Sequence, residues 1–171
     1  REVYTNFIQA KCNISPIKRK RTVPKLELMG IWSGARLADK ICHILEVPKT
    51  DVTIWSDSKT ALQWLRMEST TLVPLVHNYC EKIKALFPTS QIRWVSGRDN
   101  VAAIATRPKT VNELLLLPQW NTGPNFLRNP PDYWPILPEL VKTADVLEGV
   151  KKNYRLFSSD VTLRTETRAM A

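Results

Sequence analysis

The sequence predicts an α/β domain in which helices flank a mixed sheet. Two short β-branched segments, 51–57 and 91–96, alternate with segments whose apolar residues recur every three or four positions. Such alternation favours parallel strands joined by right-handed crossovers. The length of 171 residues is enough for one domain with a sizeable core and a tail.

The first half of the predicted body begins with a strand over 3–14, because these residues mix β-branched and aromatic side chains. A helix over 26–45 follows, with Pro24 suited to a helix start and apolar residues at spacings of three and four. Residues 51–57 form a short β-branched strand that ends in an acid. Ser58 comes directly after this strand and is a good N-cap for the next helix.

The second half of the body repeats this alternation. A helix is predicted over 72–86, where leucine, valine, tyrosine and isoleucine lie on one side, and a strand is predicted over 91–96. Residues 99–107 read as the start of another helix. Ligands of parallel sheets bind at the carboxyl ends of the strands, where Asp57 lies and which Asp99 follows.

A change of composition at Pro108 predicts three regions. Residues 1–107 form the α/β body, 108–136 form a connecting arm rich in proline and aromatic residues, and 137–171 form a helical or disordered tail. The apolar anchors of the arm are Trp120, Phe126, Tyr133 and Trp134. A weak amphipathic helix is predicted over 137–154.

The charge balance favours a polyanionic partner. The net charge is +9 and the pI is about 9.7, which suits nucleic acid through counterion release, although a solvated basic surface would have the same composition. The three widely spread cysteines argue against a disulfide framework and against a CxxC zinc site, and they fit a reduced, intracellular setting. No apolar run reaches 18 residues, so no membrane partner is expected.

Three acids, Glu27, Asp57 and Asp99, lie on different segments and each at the end of an element. Any one of them alone would most simply be a cap or a solvated charge. Converging carboxylates can instead hold two divalent metals that stabilise the attacking and leaving oxygens of phosphoryl transfer. Hard oxygen ligands select Mg²⁺ or Mn²⁺.

Four stretches, in order, resemble the ribonuclease H region of the BEL/Pao group of retrotransposon Pol polyproteins. They are AKCNISPIKRKRTVPKLEL, WSDSKTALQWL, IRWVSGRDNVAAIATR and WNTGPNFLRNPPDYWP, and the resemblance covers roughly residues 5–135. It implies an RNase H-like mixed sheet flanked by helices and hydrolysis of the RNA strand of an RNA–DNA hybrid with two Mg²⁺ ions. It also implies the reverse transcriptase and integrase parts of the same polyprotein as partners.

The resemblance assigns site residues one by one. Glu27 matches the family's helix acid and Asp57 its strand-end acid, so both are expected to be catalytic and to bind metal. Ala103 stands where the family has its final aspartate, and Asp99 matches a preceding acid that is not the usual ligand and is a weak substitute. By this register residues 3–14 match the family's third strand. The first two strands, one of which carries the first acid, are therefore expected to be absent from this chain.

Three hypotheses for the function follow from these residues. The first is a retroelement ribonuclease H fragment that is inactive as it stands, the second is a nucleic-acid-binding module without catalysis, and the third is a decayed remnant. The expected location is a cytoplasmic particle or the nucleus. The residues expected to contact nucleic acid are Lys11, Lys18, Arg19, Lys20, Arg21, Ser58 and Asn78.

Overall fold

The computed structural model describes residues 3–14, 21–138 and 144–152. Its strands are β1 (Ile54–Ser56) and β2 (Ile92–Trp94). Short 3₁₀ turns join several elements, and the longest of them spans Val101–Thr106. The helices of the described residues are α1 (Val23–Leu45), α2 (Lys59–Arg66), α3 (Pro74–Leu86), α4 (Val111–Leu115), α5 (Pro118–Thr122) and α6 (Ala144–Glu148).

The two strands form a parallel pair, as the alternation of strands and helices predicts. Ile54 lies opposite Ile92, and Trp55 lies opposite Arg93. Within the described residues the sheet has these two strands, and the architecture is helix-rich. This arrangement is compatible with the RNase H-like α/β class that the resemblance implies.

Two local predictions are wrong. Residues 3–14 form no strand: they pair with neither β1 nor β2, and most of their side chains are exposed. Residues 101–106 form a 3₁₀ turn instead of an α-helix. That turn buries none of its residues, and a short segment without tertiary support does not repay the cost of helix nucleation.

The core lies between α1, α2 and α3. Leu28, Ile31 and Ala35 form the buried stripe of α1, and the side chain of Trp64 on α2 is fully buried. Cys42 and Cys80 are buried as well, which confirms them as small core residues. The residues that join Leu28 and Trp64 in the main buried cluster are Ile31, Ala61, Leu62, Leu65, Leu72, Val76, Cys80, Ile83, Ile92 and Val146.

Residues 144–152 complete this core from far along the chain. The indole nitrogen of Trp64 donates to the carbonyl of Val146 at 2.8 Å, and the backbone nitrogen of Val73 donates to the carbonyl of Gly149 at 2.9 Å. Leu72 and Val150 form an isolated antiparallel bridge. Of the weak helix predicted over 137–154, the described residues contain α6, which packs on the body, while residues 137–138 and 149–151 are not helical. Residues 139–143 of this prediction, and residues 153–171 of the predicted tail, lie outside the described residues.

The proline-rich arm packs on the outside of the strand pair. The ring of Trp55 contacts the rings of Phe126 and Trp134, with centroids 4.9 and 5.5 Å apart. The guanidinium of Arg93 lies 5.4 Å from the ring centroids of both Trp55 and Trp134. Trp120 stacks on Phe7, with 5.2 Å between the ring centroids.

Among the residues that the structure describes, no helix is long and apolar enough to span a membrane.

Candidate functional site: a carboxylate cleft

A cleft of about 780 Å³ opens where the start of α1 meets the end of β1. Glu27 of α1 and Asp57, which follows β1, both line it, so the structure brings together the two acids that the sequence assigns to the site. Asp145 and Glu148 of α6 line the same cleft, as does Lys59. We call this feature the carboxylate cleft.

Local sequence explains how the first two acids reach the cleft. Pro24 occupies the first turn of α1, where its missing N–H costs nothing, and Glu27 follows one turn later. On the other side, β1 ends at the buried Ser56, and Asp57 is the next residue. The hydroxyl of Ser58 accepts from the backbone nitrogen of Ala61 at 3.2 Å and so caps α2, as predicted.

Ser58 also connects the two sides of the cleft. Its hydroxyl donates to Oε2 of Glu27 at 2.5 Å, and its side chain is buried. Burial raises the pKa of Glu27, the hydrogen bond from Ser58 opposes this, and the negative charges of Asp57 and Asp145 raise the pKa further. Glu27 is thus a half-buried carboxylate that repels two neighbouring acids.

Asp145 is a cleft residue that the sequence reasoning missed. It lies at the start of α6, about 120 positions after Glu27, and no local motif distinguishes it from other acids of the tail. Glu148 of the same helix forms an ion pair with Lys25, and its carboxylate accepts a hydrogen bond from the hydroxyl of Thr22 at 2.9 Å. The only available signal was the weak apolar spacing that predicts α6.

The cleft contains carboxylates of the type that would hold a Mg²⁺ ion. Two carboxylates with water are sufficient for one Mg²⁺, which keeps several waters and binds protein through one or two acids. Among residues 3–14, 21–138 and 144–152, no group of three or more histidine, cysteine, aspartate or glutamate side chains is placed to hold a metal ion. Glu27 and Asp57 are the residues that would hold one.

Asp99 and Ala103 do not line the cleft in the described part of the chain. The carboxylate of Asp99 accepts from the hydroxyl of Ser96 at 2.7 Å, within the turn that follows β2. Ala103 lies on the 3₁₀ turn after it. Gly97 does reach the cleft, where a Cβ atom added to it would lie 3.5 Å from Oδ2 of Asp57.

The residues expected to contact nucleic acid do not gather at one place. Lys11 and Asn78 are exposed, on the extended segment 3–14 and on α3. The guanidinium of Arg21 contacts the sulfur of Met29, and Ser58 is buried under Glu27. Lys18, Arg19 and Lys20 lie outside the described residues.

Residues 1–58 match the family model described as "Pao retrotransposon-like RNaseH-like domain". Over this stretch the chain is similar to the RNase H-like regions of BEL/Pao-type retrotransposons. The matched stretch contains Glu27, Asp57 and Ser58, while Asp145 lies beyond it. No curated protein and no solved structure matches the chain.

Proposed function

We propose that this chain is the ribonuclease H part of a retroelement polyprotein, that it binds one divalent cation at the carboxylate cleft, and that it does not cleave RNA–DNA hybrids. The observation that carries the proposal is the pairing of Glu27 with Asp57 in one cleft, with Ala103 away from it. The match of residues 1–58 supports the retroelement origin. The reverse transcriptase and integrase parts of such a polyprotein would be its partners.

The absence of cleavage follows from the number of acids. In two-metal hydrolysis one ion stabilises the attacking oxygen and the other stabilises the leaving oxygen. Glu27 and Asp57 supply two carboxylates, and Ala103 stands where the resembled family has its final acid. Because even indirect changes around a metal site cost about 10- to 100-fold in affinity or activity, losing direct ligands should cost more.

The test combines metal binding with hydrolysis. Binding of Mn²⁺ to the chain should be measurable by calorimetry, and Asp57→Asn should weaken it at least about tenfold, since one of two charged ligands is lost. Asp51→Asn is the matched control, because Asp51 is an exposed acid on a 3₁₀ turn away from the cleft. Release of labelled RNA from an RNA–DNA hybrid should stay at the level of the chelator control with Mg²⁺ or Mn²⁺.

Further variants identify the group responsible if hydrolysis does occur. Ala103→Asp alone should not produce cleavage, because residue 103 does not line the carboxylate cleft. Metal-dependent cleavage by the unmodified chain would overturn the proposed inactivity. Loss of that cleavage in Asp99→Asn would then identify Asp99 as the replacement for the missing acid, and loss in Asp145→Asn would identify Asp145.

A second candidate function is binding of nucleic acid without catalysis. The net charge of +9 favours it, since neutralised phosphates release counterions. The two candidates are separable, because retention of a labelled oligonucleotide at moderate salt does not require a metal ion.

A further inference from the structure

A second concavity, of about 600 Å³, lies between the middle of α1, the end of α3 and the extended segment 3–14. Trp32, Arg36 and Lys40 of α1 line it, together with Lys11 of the extended segment and Leu86 of α3. Its volume is in the range of pockets that hold small ligands. We call it the basic groove.

The charge of the basic groove is not compensated by acids. The acid that lines it, Asp39, forms an ion pair with Lys49, with 2.5 Å between Oδ1 and Nζ. Lys11, Arg36 and Lys40 are exposed, and none of them forms an ion pair with an acid of the described residues. Three cations therefore face solvent around one concave surface, which is an arrangement suited to phosphate groups.

The helix repeat places an aromatic ring in line with two of these cations. Trp32, Arg36 and Lys40 are four positions apart, so they lie on one face of α1 with a rise of about 6 Å between neighbours. The guanidinium of Arg36 lies 5.8 Å from the ring centroid of Trp32. The ring also packs against the core cluster, so a nucleobase would stack on the exposed part of this indole–guanidinium pair.

The same helix separates the basic groove from the carboxylate cleft. Arg36 follows Glu27 by nine residues, which corresponds to about half a turn of difference in direction and about 13 Å along the axis. The acids of the cleft therefore do not cancel the cations of the groove. Binding in the groove needs neither the metal ion nor the chemistry proposed for the cleft.

We infer that the basic groove binds single-stranded nucleic acid, with phosphates at Lys11, Arg36 and Lys40 and a base against Trp32. A single strand can turn an unpaired base onto the indole while its backbone follows the cations. A duplex keeps its bases stacked inside and would meet the groove with its backbone alone. Stacking and phosphate contacts together thus favour the single strand.

The test measures fluorescence anisotropy of a labelled oligothymidylate at several salt concentrations. Each phosphate contact of a single strand contributes a slope of about −0.7 in log K against log salt, so three contacts contribute about −2. The triple variant K11Q/R36Q/K40Q should make the measured slope less negative by about 2 and lower the affinity at least about tenfold. The control R98Q/R107Q/K109Q removes the same charge from exposed positions outside the groove and should change the slope by much less.

Variants of Trp32 test the contribution of base stacking to binding. Trp32→Ala should weaken binding by about 5- to 100-fold, the range of a lost base stack, while Trp32→Phe should keep most of the affinity. Circular dichroism of each variant checks that it folds. If the groove triple variant and the control triple variant lost equal affinity for the oligothymidylate, net charge alone would explain the loss. This result would overturn the inference.

Three further outcomes also decide the inference. Tighter binding of a duplex or of an RNA–DNA hybrid than of the single strand would overturn the assignment of the ligand. Groove binding that persists with chelator supports the inference whether or not metal binds at the carboxylate cleft. If the oligothymidylate does not bind while Mn²⁺ uptake is intact, the groove assignment fails and the proposed function of the cleft stands.

Discussion

The hydroxyl of Ser58 donates to the carboxylate of Glu27 at 2.5 Å and accepts from the backbone nitrogen of Ala61 at 3.2 Å. One side chain therefore caps α2 and holds an acid of α1 in place. Ser58 therefore links the stability of the start of α2 to the pKa of Glu27. Each of these two quantities can be measured.

Ser58→Ala should destabilise the fold and raise the pKa of Glu27 further. Loss of an N-cap costs about 1 kcal/mol of the free energy of unfolding, and the removed hydrogen bond is one that lowers the pKa of Glu27. Denaturant unfolding and an NMR titration of the Glu27 carboxyl carbon measure the two effects. Thr110→Ala is the control, because Thr110 caps α4 through a capping box far from the cleft. An unchanged pKa of Glu27 in Ser58→Ala would contradict the coupling.

Glu27→Gln should stabilise the protein near neutral pH. The folded-state pKa of Glu27 is raised above its usual 4.5, so the native state binds more protons than the unfolded state between 4.5 and the raised pKa. Stability therefore falls as pH rises through this window, and a neutral glutamine avoids the loss. When Tm is measured from pH 4 to 8, the Tm of the variant should be higher than that of the unmodified chain near neutral pH. This difference should disappear below about pH 4.5.

Glu113→Gln provides a control of opposite sign for that pH series. Hydrogen bonds from the backbone and the hydroxyl of Thr110 lower the pKa of Glu113, so its contribution is present above 4.5 and is lost as pH falls through the lowered pKa. The Tm of this variant should be equal to or below that of the unmodified chain at pH 7. If Tm depended on pH in the same way in Glu27→Gln and Glu113→Gln, the charged form of Glu27 would not destabilise the folded protein.

Gly149→Ala should destabilise the protein by about 1 to 3 kcal/mol, the usual cost of overpacking. A Cβ atom at this position would overlap with the indole of Trp64, whose nitrogen is already bonded to the carbonyl of Val146. Gly34→Ala is the matched control: a Cβ there has no neighbour within 4 Å, and alanine is favoured over glycine inside a helix by about 1 kcal/mol. Equal unfolding midpoints for the two variants would mean that residues 144–152 do not pack on Trp64.

One cysteine should react with a thiol reagent in the native protein, and three should react after denaturation. Cys12 is exposed, Cys42 is buried, and burial raises the pKa of Cys80 to about 12, so little thiolate forms there near neutral pH. Colorimetric thiol counting at pH 8 measures both numbers. Cys12→Ser should remove the fast reaction of the native protein, and Cys42→Ser should leave that reaction unchanged. Fast labelling of two or more thiols in the native protein would contradict the described core.

Local patterns were sufficient to predict the elements that carry the first two acids. Apolar spacing placed α1, the β-branched segments placed β1 and β2, and the position of Ser58 after a strand predicted its role as a cap. These predictions succeed because the residues concerned are close in sequence. The convergence of Glu27 and Asp57 came from the resemblance, since side chains 30 positions apart share no local signal.

Contacts between distant segments could not be predicted in the same way. Residues 3–14 have the composition of a strand, but a strand also needs an edge to pair with, and composition does not show whether one is present. Asp145 reaches the cleft because Val146 and Val150 are buried against a core formed by residues before position 100. That placement depends on packing across the whole domain, to which the spacing of acids along the chain gives no clue.

The bond between Trp64 and the carbonyl of Val146 spans 82 positions, and this has a consequence for biosynthesis. At about 5 to 20 residues per second, a ribosome completes Trp64 about 4 to 16 seconds before it completes Val146. During this interval the nascent chain carries a large indole that lacks its hydrogen-bond partner and the cover that residues 144–152 provide. The emerging chain therefore offers a binding site to chaperones that closes only when Gly149 docks against the ring.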